Sequence, residues 1–551
     1  LSRYRSDGFF KFVLLSLYTS INSDINMSSE SEKIEVRYRR ASGLVRTLSG
    51  FDALNLNVSM CSPPQGVLWA WTWGAAMFPA ALISLSYFIG IFAILPIALI
   101  YVIWTIAMPR AGGDYVWLSR AYHPVVGFMV NFFLTFVMLN WYAMNLQTTG
   151  PFFLSSFFTA LGYESLAEWA SSFWGSMSIG LVFLLIYAIL VLRGMRIFAV
   201  FLKVFFILSL IGSLAFIALT LLTPHSTIVS NFVKYSGMTV EELVNRAVGL
   251  GFIGTTVQLA PTLMALIFPY QNYSWAAFPS YVAGEIKEVK RNAWIGIIGG
   301  LFAMGAWYVI LGHTVYMTLG YPAVSALSWL SQWYPENYPL PFPPYPQNFA
   351  FFMTDNFALI ALIAFGWLAS GIYLTPPNLL IVSRNVLAWA IDGLLPQKLR
   401  EVKWGSPIYT VIALSLVTIP LMYLVGLATY QVMIVNTFFF MQLALIIVAL
   451  GTALLPLRKK ELLDIMPSIG RKKLGGLYLI TLIGIIAAIL HIWAAYSAAT
   501  APALGGLHIV SFLFNLAIFI FPIPFYFIVR YYRLKKEGID IAALYKEIPV
   551  E

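Results

Sequence analysis

The sequence predicts an all-α polytopic membrane protein with about twelve transmembrane helices, and three observations carry that prediction. Of the 551 residues, 60% are hydrophobic and only 10% are charged, against roughly 25% charged in soluble domains. Apolar runs of about 20 residues, long enough to cross a bilayer as a helix, recur between clusters of charge, glycine or proline. The lysines and arginines crowd into every second loop between those runs.

Taken in order, residues 1–48 form a polar lead. Leu1 is not an initiator methionine, and the first methionine is Met27. The stretch FFKFVLLSLYTS (9–20) is short for a span and has no small-residue cleavage pattern. Residues 1–26 are therefore expected to stand outside the functional unit. The first five spans are placed at roughly 49–74, 77–107, 117–145, 175–192 and 197–222. A polar outer segment, partly helical, follows up to Arg246. The sixth and seventh spans are placed at roughly 248–283 and 293–319. Prolines at 335, 339, 341, 343, 344 and 346 forbid a continuous helix, so 321–350 reads as an outer Pro/Tyr-rich connector. The eighth span, roughly 353–391, is kinked at Thr375-Pro376-Pro377, and the last four lie near 407–427, 431–456, 475–497 and 506–532.

The charges orient this map. With the N-terminus cytoplasmic, the clusters Lys287/Lys290/Arg291, Arg458–Lys460 and Arg471–Lys473 all fall inside, and the outer loops hold only Lys234 and Arg246. Both termini are then cytoplasmic. The net charge of +10 is explained by topology, so nucleic acid is not a partner, and anionic lipid headgroups are the expected contacts of the basic loops. A single cysteine, Cys61, excludes an intramolecular disulfide framework. His123, His313 and His491 are isolated in sequence, so no metal site is expected, and no cofactor either. No nucleophile–base pair suggests an enzyme.

Two spans are interrupted. Ser59–Gly66 reads SMCSPPQG inside the first, and Phe268–Trp275 reads FPYQNYSW inside the sixth. Broken backbone at bilayer depth exposes N–H and C=O groups that lipid cannot satisfy, and paired breaks in two halves of a chain point to a secondary transporter. The start of the half-helix near Gln65 and Gly66 suits a substrate carboxylate, and carbonyls near Ser59 and Phe268 suit an ammonium. The candidate substrate-binding residues are Ser59, Cys61, Ser62, Gln65 and Gly66 from the first break, and Phe268, Tyr270, Gln271, Asn272 and Tyr273 from the second. Asn145 on the third span joins them. The competing readings are a rigid kink for the first stretch and an interfacial aromatic belt for the second.

PRAGGDYVWLSRAYHPVVGF (109–128) resembles the P-x-A-G-G-x-Y-x-Y-x-S-R-x-x-G-P-x-x-G-F signature of amino acid permeases of the amino acid–polyamine–organocation superfamily. YVAGEIKEVKRN (281–292) is similar to the segment closing that family's sixth helix, SRNVLAWAIDGLLPQKLREV (383–402) to the one ending its eighth, and RRASGLVRTLSGFDAL (39–54) to the lead into its first. The resemblance implies a core of ten helices as two five-helix inverted repeats (5+5, LeuT-type) over 49–456, with helices one and six unwound. Two peripheral helices over 457–532 and a cytoplasmic tail, 533–551, complete it. It also implies secondary transport of an amino acid or related small amine across the plasma membrane by alternating access, coupled to H+ or Na+. A substrate sensor or an uncoupled channel on the same fold is the alternative. The family's glycine-rich first break is replaced here by Cys61, Ser62, Pro63 and Pro64, which removes backbone donors. The oxygens matching the sodium site of coupled relatives are those of Ser370, Tyr373 and Thr375. The lysine that some proton-coupled relatives carry on helix five falls at Ser209, leaving Lys203 as the coupling candidate, with snorkelling or an inner ion pair as its other readings. Glu285 and Asp392 are expected to form surface bridges to loop arginines.

Overall fold

Ser49 opens the first membrane helix with a capping box: its hydroxyl accepts the Asp52 N–H at 3.2 Å, and the Asp52 carboxylate takes the Ser49 N–H at 2.9 Å. This first helix, α1 (Gly50–Cys61), stops at Ser62, whose φ of 27° is a strained value for a residue with a Cβ. Pro63 and Pro64 then start α2 (Pro63–Trp69), occupying the first turn, where a missing N–H leaves no bond unmade. The helix continues through a widened turn, 70–74, to Met77. The structure, a computed structural model, describes residues 42–501 and 506–546, which belong to one compact unit spanning 41–551. The expectation for residues 1–26 lies outside the described residues.

The main remaining helices follow in order: α3 (Ile83–Ala107), the short α4 (Asp114–Ala121), α5 (Pro124–Ala160), α6 (Phe173–Leu192), α7 (Met195–Leu222), the short pair α8 (His225–Ser236) and α9 (Val240–Gly249), then α10 (Ile267–Tyr273), α11 (Val289–Leu319), α12 (Tyr321–Trp333), α13 (Phe357–Ile391), α14 (Ile408–Val425), α15 (Ala428–Ala453), α16 (Leu479–Thr500) and α17 (Ile509–Glu537). Ten of these are long and apolar enough to cross a membrane: α3, α5, α6, α7, α11 and α13 to α17. The chain is an integral, multi-pass membrane protein. The only strands among the described residues are two hairpins in basic loops, turned by Trp404-Gly405 and Gly475-Gly476 with positive φ at both central residues, the geometry that matches strand twist.

Four details differ from the sequence expectation. The third span begins at Pro124 rather than 117, because 114–121 forms a separate helix, and it runs on to Ala160. Residues 267–273 of the second interruption are helical; the irregular backbone lies before them at 265–266 and after them, where 3₁₀ turns run from Ser274 to Glu285. Within 321–350, the stretch to Trp333 is helical, since Pro322 sits in the first turn and the helix-breaking prolines start only at 335. This α12 lies on the C-terminal part of the first broken helix, with the Ser328 hydroxyl donating to Trp71 O at 2.7 Å and the Trp333 indole N–H to Ala76 O at 3.2 Å.

Fourth, the expected surface bridges are buried. Arg384 donates to both oxygens of Glu285, at 2.9 and 3.1 Å, with side chains 0% and 1% exposed. Arg120 donates to Asp392 at 2.8 Å, both nearly inaccessible. Backbone pairing tightens the same end of the molecule: the Thr47 and Leu48 N–H groups both donate to Glu285 O at 2.9 Å, Lys287 N–H donates to Leu48 O at 2.9 Å, and Ala111 bridges Val282. Away from the breaks, α7 and α13 cross at Gly212 and Gly366, each occupying the space a Cβ of the other would need.

Candidate functional site

The break of the first interrupted helix meets α10, the helical piece between the two irregular stretches of the second. The Cys61 thiol donates to Asn272 O at 2.8 Å. Tyr308 of α11 places its hydroxyl on Cys61 O and accepts from the Asn272 side-chain amide at 2.9 Å. Tyr87 of α3 accepts from the same amide at 2.7 Å and stacks on the Tyr308 ring, centroids 4.5 Å apart. Gly66 is fixed by this arrangement, because any Cβ there would overlap the Tyr308 hydroxyl.

Most backbone groups freed at the first break have partners within the protein. Ser62 N–H donates to Val58 O at 2.8 Å, Gly66 N–H to Ser62 O at 3.0 Å, and Gln65 N–H to the Ser370 hydroxyl at 3.1 Å. Pro63 and Pro64 have no N–H. The Ser62 hydroxyl in turn binds the Ser370 hydroxyl and Ser370 O. The half-helix start at Gln65 and Gly66, expected to receive a carboxylate, therefore has its donors already engaged.

What remains unspent is carried by side chains. A cavity of about 130 Å³ at the junction is lined by Cys61, Gln65, Gly66, Asn145, Phe268, Gln271 and Asn272 from the expected set, together with aromatic walls from Trp69, Tyr87, Trp141 and Trp275. The side-chain amides of Gln65, Asn145 and Gln271 make no hydrogen bond to the described residues, and the buried Trp69 indole N–H has no partner either. No charged side chain lines the cavity. A larger cavity of about 440 Å³ adjoins it, sharing Trp69, Trp141 and Gln271 and extending between α5 and the first part of α15.

Four expected residues point elsewhere. The Ser59 hydroxyl bonds back to Leu56 O within its own helix at 2.7 Å. Ser62 is held by Ser370. Tyr270 donates to Leu490 O at 3.1 Å and packs on His491 and Trp493. Tyr273 is buried edge-on between Tyr87 and Tyr308. Sequence reasoning missed Tyr308, Tyr87, Trp69 and Trp141. A phenol inside an otherwise apolar helix is a usable signal for the first two; nothing in the spacing identifies the tryptophans.

Of the coupling candidates, Ser370, Tyr373 and Thr375 stand at the first break on α13, but their oxygens face protein. Ser370 is bound as above, the Thr375 hydroxyl donates to Gly371 O at 3.1 Å, and Tyr373 is buried beside Ser62. Lys203 on α7 forms an ion pair with Asp52 at 2.6 Å. No group of three or more His, Cys, Asp or Glu side chains able to hold a metal occurs among the described residues. A family model described as amino acid permease matches residues 70–524. No curated protein matches the sequence.

Proposed function

From the premise that this chain belongs to the amino acid permease family, we propose that it is a secondary active transporter that carries an amino acid or a related small amine by alternating access. One observation carries the reading: three unpartnered amides and an indole N–H face one uncharged cavity where two broken helices meet. A zwitterion or small amine needs hydrogen bonds there and no net countercharge, and side-chain amides both donate and accept. Here the amides of Gln65, Asn145 and Gln271 take the part that backbone N–H groups take in other broken-helix transporters.

On this reading the pieces 50–77 and 259–285 are the first and sixth of twelve spans, the first ten forming a five-plus-five inverted repeat and α16 and α17 lying at its edge. The basic loops and both termini are cytoplasmic in the plasma membrane, the pairing around Glu285 seals the inner side, and the 440 Å³ cavity is the outer vestibule. The driving ion is H+ or Na+; a sodium ion would require Ser370 and Thr375 to leave their present partners. The test is uptake by the purified chain in proteoliposomes under an imposed proton or sodium gradient, with the twenty common amino acids, γ-aminobutyrate and putrescine as radiolabelled probes. Saturable, gradient-dependent accumulation and counterflow of at least one probe are expected. Absence of both, or non-saturating flux alone, refutes the proposal, the latter in favour of a channel.

A further inference from the structure

Three carboxylates are buried among the described residues: Glu285, Asp392 and Asp114. Glu285 has Arg384 and Asp392 has Arg120. Asp114, 0% exposed at the start of α4, has no cation within ion-pair distance. A buried carboxylate without a cation is costly and in membrane proteins marks proton or substrate pathways.

Its partners are neutral and come from three elements. Oδ2 accepts the Tyr101 hydroxyl of α3 at 2.9 Å and the Tyr281 hydroxyl, and Oδ1 accepts the Asn131 amide of α5 at 2.7 Å. The orientation of Asn131 is fixed, because the Trp389 indole N–H, which can only donate, binds its Oδ1 at 2.8 Å. The NH₂ must therefore face Asp114. Tyr281 ends the second broken helix, and its carbonyl accepts Gly112 N–H at 3.0 Å beside the Ala111–Val282 bridge. Of the charged groups on the neighbouring elements, Arg120 on α4 and Arg384 on α13 are engaged by their own partners, and Arg110, just before the Ala111–Val282 bridge, is not free either. Burial lifts the Asp114 carboxyl above its ordinary range, against the opposing bonds from Tyr281, Asn131 and Tyr101.

This geometry makes the bonds depend on protonation. An ionised carboxylate only accepts, so both phenols can donate to Oδ2. A proton on Oδ2 needs an acceptor of its own, and one of the two phenols must turn or leave. Tyr101 sits in an unbroken helix, whereas Tyr281 sits in 3₁₀ turns at the end of an interrupted one. Tyr281 is the one free to give way, and with it the contact between 111–112 and 281–282 that helps close this end of the molecule.

We propose that Asp114 is the proton-binding site of this transporter, taking up one proton per cycle on its carboxylate and releasing the inner end of the second broken helix when it does. The proposal rests on the transport reading above and narrows its coupling ion to H+. The experiment is proteoliposome uptake under an inward proton gradient, with whichever of the named probes the wild-type chain accumulates, on wild type, Asp114→Asn and Asp114→Glu. Proton-driven accumulation should fall at least about tenfold in Asp114→Asn, a typical coupling energy, with counterflow retained. Asp114→Glu should keep coupling with a shifted pH profile. Infrared difference spectra of the purified protein across a pH titration should contain a carboxylic acid C=O band that Asp114→Asn lacks. Undiminished proton-driven accumulation in Asp114→Asn overturns the proposal, as does loss of counterflow in both variants, which marks a structural role, or an unchanged infrared band. Accumulation driven by sodium alone in wild type overturns it while leaving the transport reading intact; no accumulation and no counterflow of any probe in wild type overturns both.

Discussion

Replacing Glu285 by glutamine should destabilise the protein more than any surface ion-pair change. The Arg384 guanidinium is 0% exposed and its two short bonds, 2.9 and 3.1 Å, both go to Glu285. Its other contacts, Ser383 Oγ at 3.2 Å and Gly405 O at 3.4 Å, are longer and uncharged. Glutamine keeps the shape and removes the charge, leaving a buried cation uncompensated, which costs about 3–5 kcal/mol. At about 1.4 kcal/mol per factor of ten, that is a hundredfold or more in the folding equilibrium. The Glu285 carbonyl, which holds Thr47 and Leu48, is backbone and survives the change, so the loss belongs to the side chain. The assay is unfolding in mixed micelles by titration with dodecyl sulfate, for Glu285→Gln, Arg384→Met and the double variant. The double variant should be much less destabilised than the sum of the singles, because it buries no lone charge. A single-variant loss under about 1 kcal/mol, or strict additivity, refutes the reasoning.

Tyr308→Phe removes the hydroxyl shared by Cys61 O and the Asn272 amide; with a carbonyl left unpaired, stability should drop by about 1–3 kcal/mol in the same unfolding assay, and the half-saturation concentration for uptake should rise. Pro63→Gly with Pro64→Gly restores two N–H donors at the start of α2, so competition assays should show a stronger preference for carboxylate-bearing probes over plain amines; an unchanged profile with intact transport would make the prolines scaffolding. Beyond α17, burial alone would raise the Asp540 carboxyl, but Arg530, at 2.8 Å from each oxygen, and the Ala542 N–H hold it below the ordinary range. A lowered folded-state pKa gives stability that is present above the unfolded value, about 3.9, and is lost as pH falls through the folded one. Hydrogen exchange of 541–545 should therefore accelerate on acidification below about pH 4, and Asp540→Asn should show fast exchange already at neutral pH, with no acid limb.

The fold was legible because a bilayer imposes a length on apolar runs that composition alone satisfies. The boundaries of α6, α7, α11 and α13 to α17 lie within a few residues of the apolar runs. Legibility failed where local rules compete with that pattern. Residues 117–121 read as the start of the third span, yet they belong to a separate helix: Gly112 and Gly113, both with positive φ, turn the chain before it, and the backbone breaks again at Tyr122. Residues 321–333 were absorbed into the connector because the prolines from 335 onward were allowed to define the whole segment, although the residues before them form a helix that Pro322, in its first turn, does not interrupt. The buried state of Glu285–Arg384 and Arg120–Asp392 was also invisible, since a charge between two apolar runs reads as a surface loop until the loops are seen to pack on one another.

At the site, sequence located the first break, set the second on residues of which 268–273 are helical, and misjudged how the first is used. Losing two backbone donors to Pro63 and Pro64 looked like a loss to the ligand. The structure shows that the protein itself engages the next donors: Ser370 caps the Gln65 N–H, Ser62 ties the break to α13, and Tyr308 closes the Cys61 carbonyl. None of these partners is within two hundred residues of the break, so no local pattern could reveal them. The consequence reaches specificity. A break whose backbone is satisfied can keep its shape with an empty cavity, and on the proposed function selection of a substrate would fall to side chains that make no hydrogen bond to the described residues. Gln65, Asn145 and Gln271 come from three different helices, so their spacing is set by how α2, α5 and α10 stand relative to one another. On the proposed transport reading, any motion that separates these helices would take the amides out of register, and recognition would follow the state of the transport cycle without a dedicated gate.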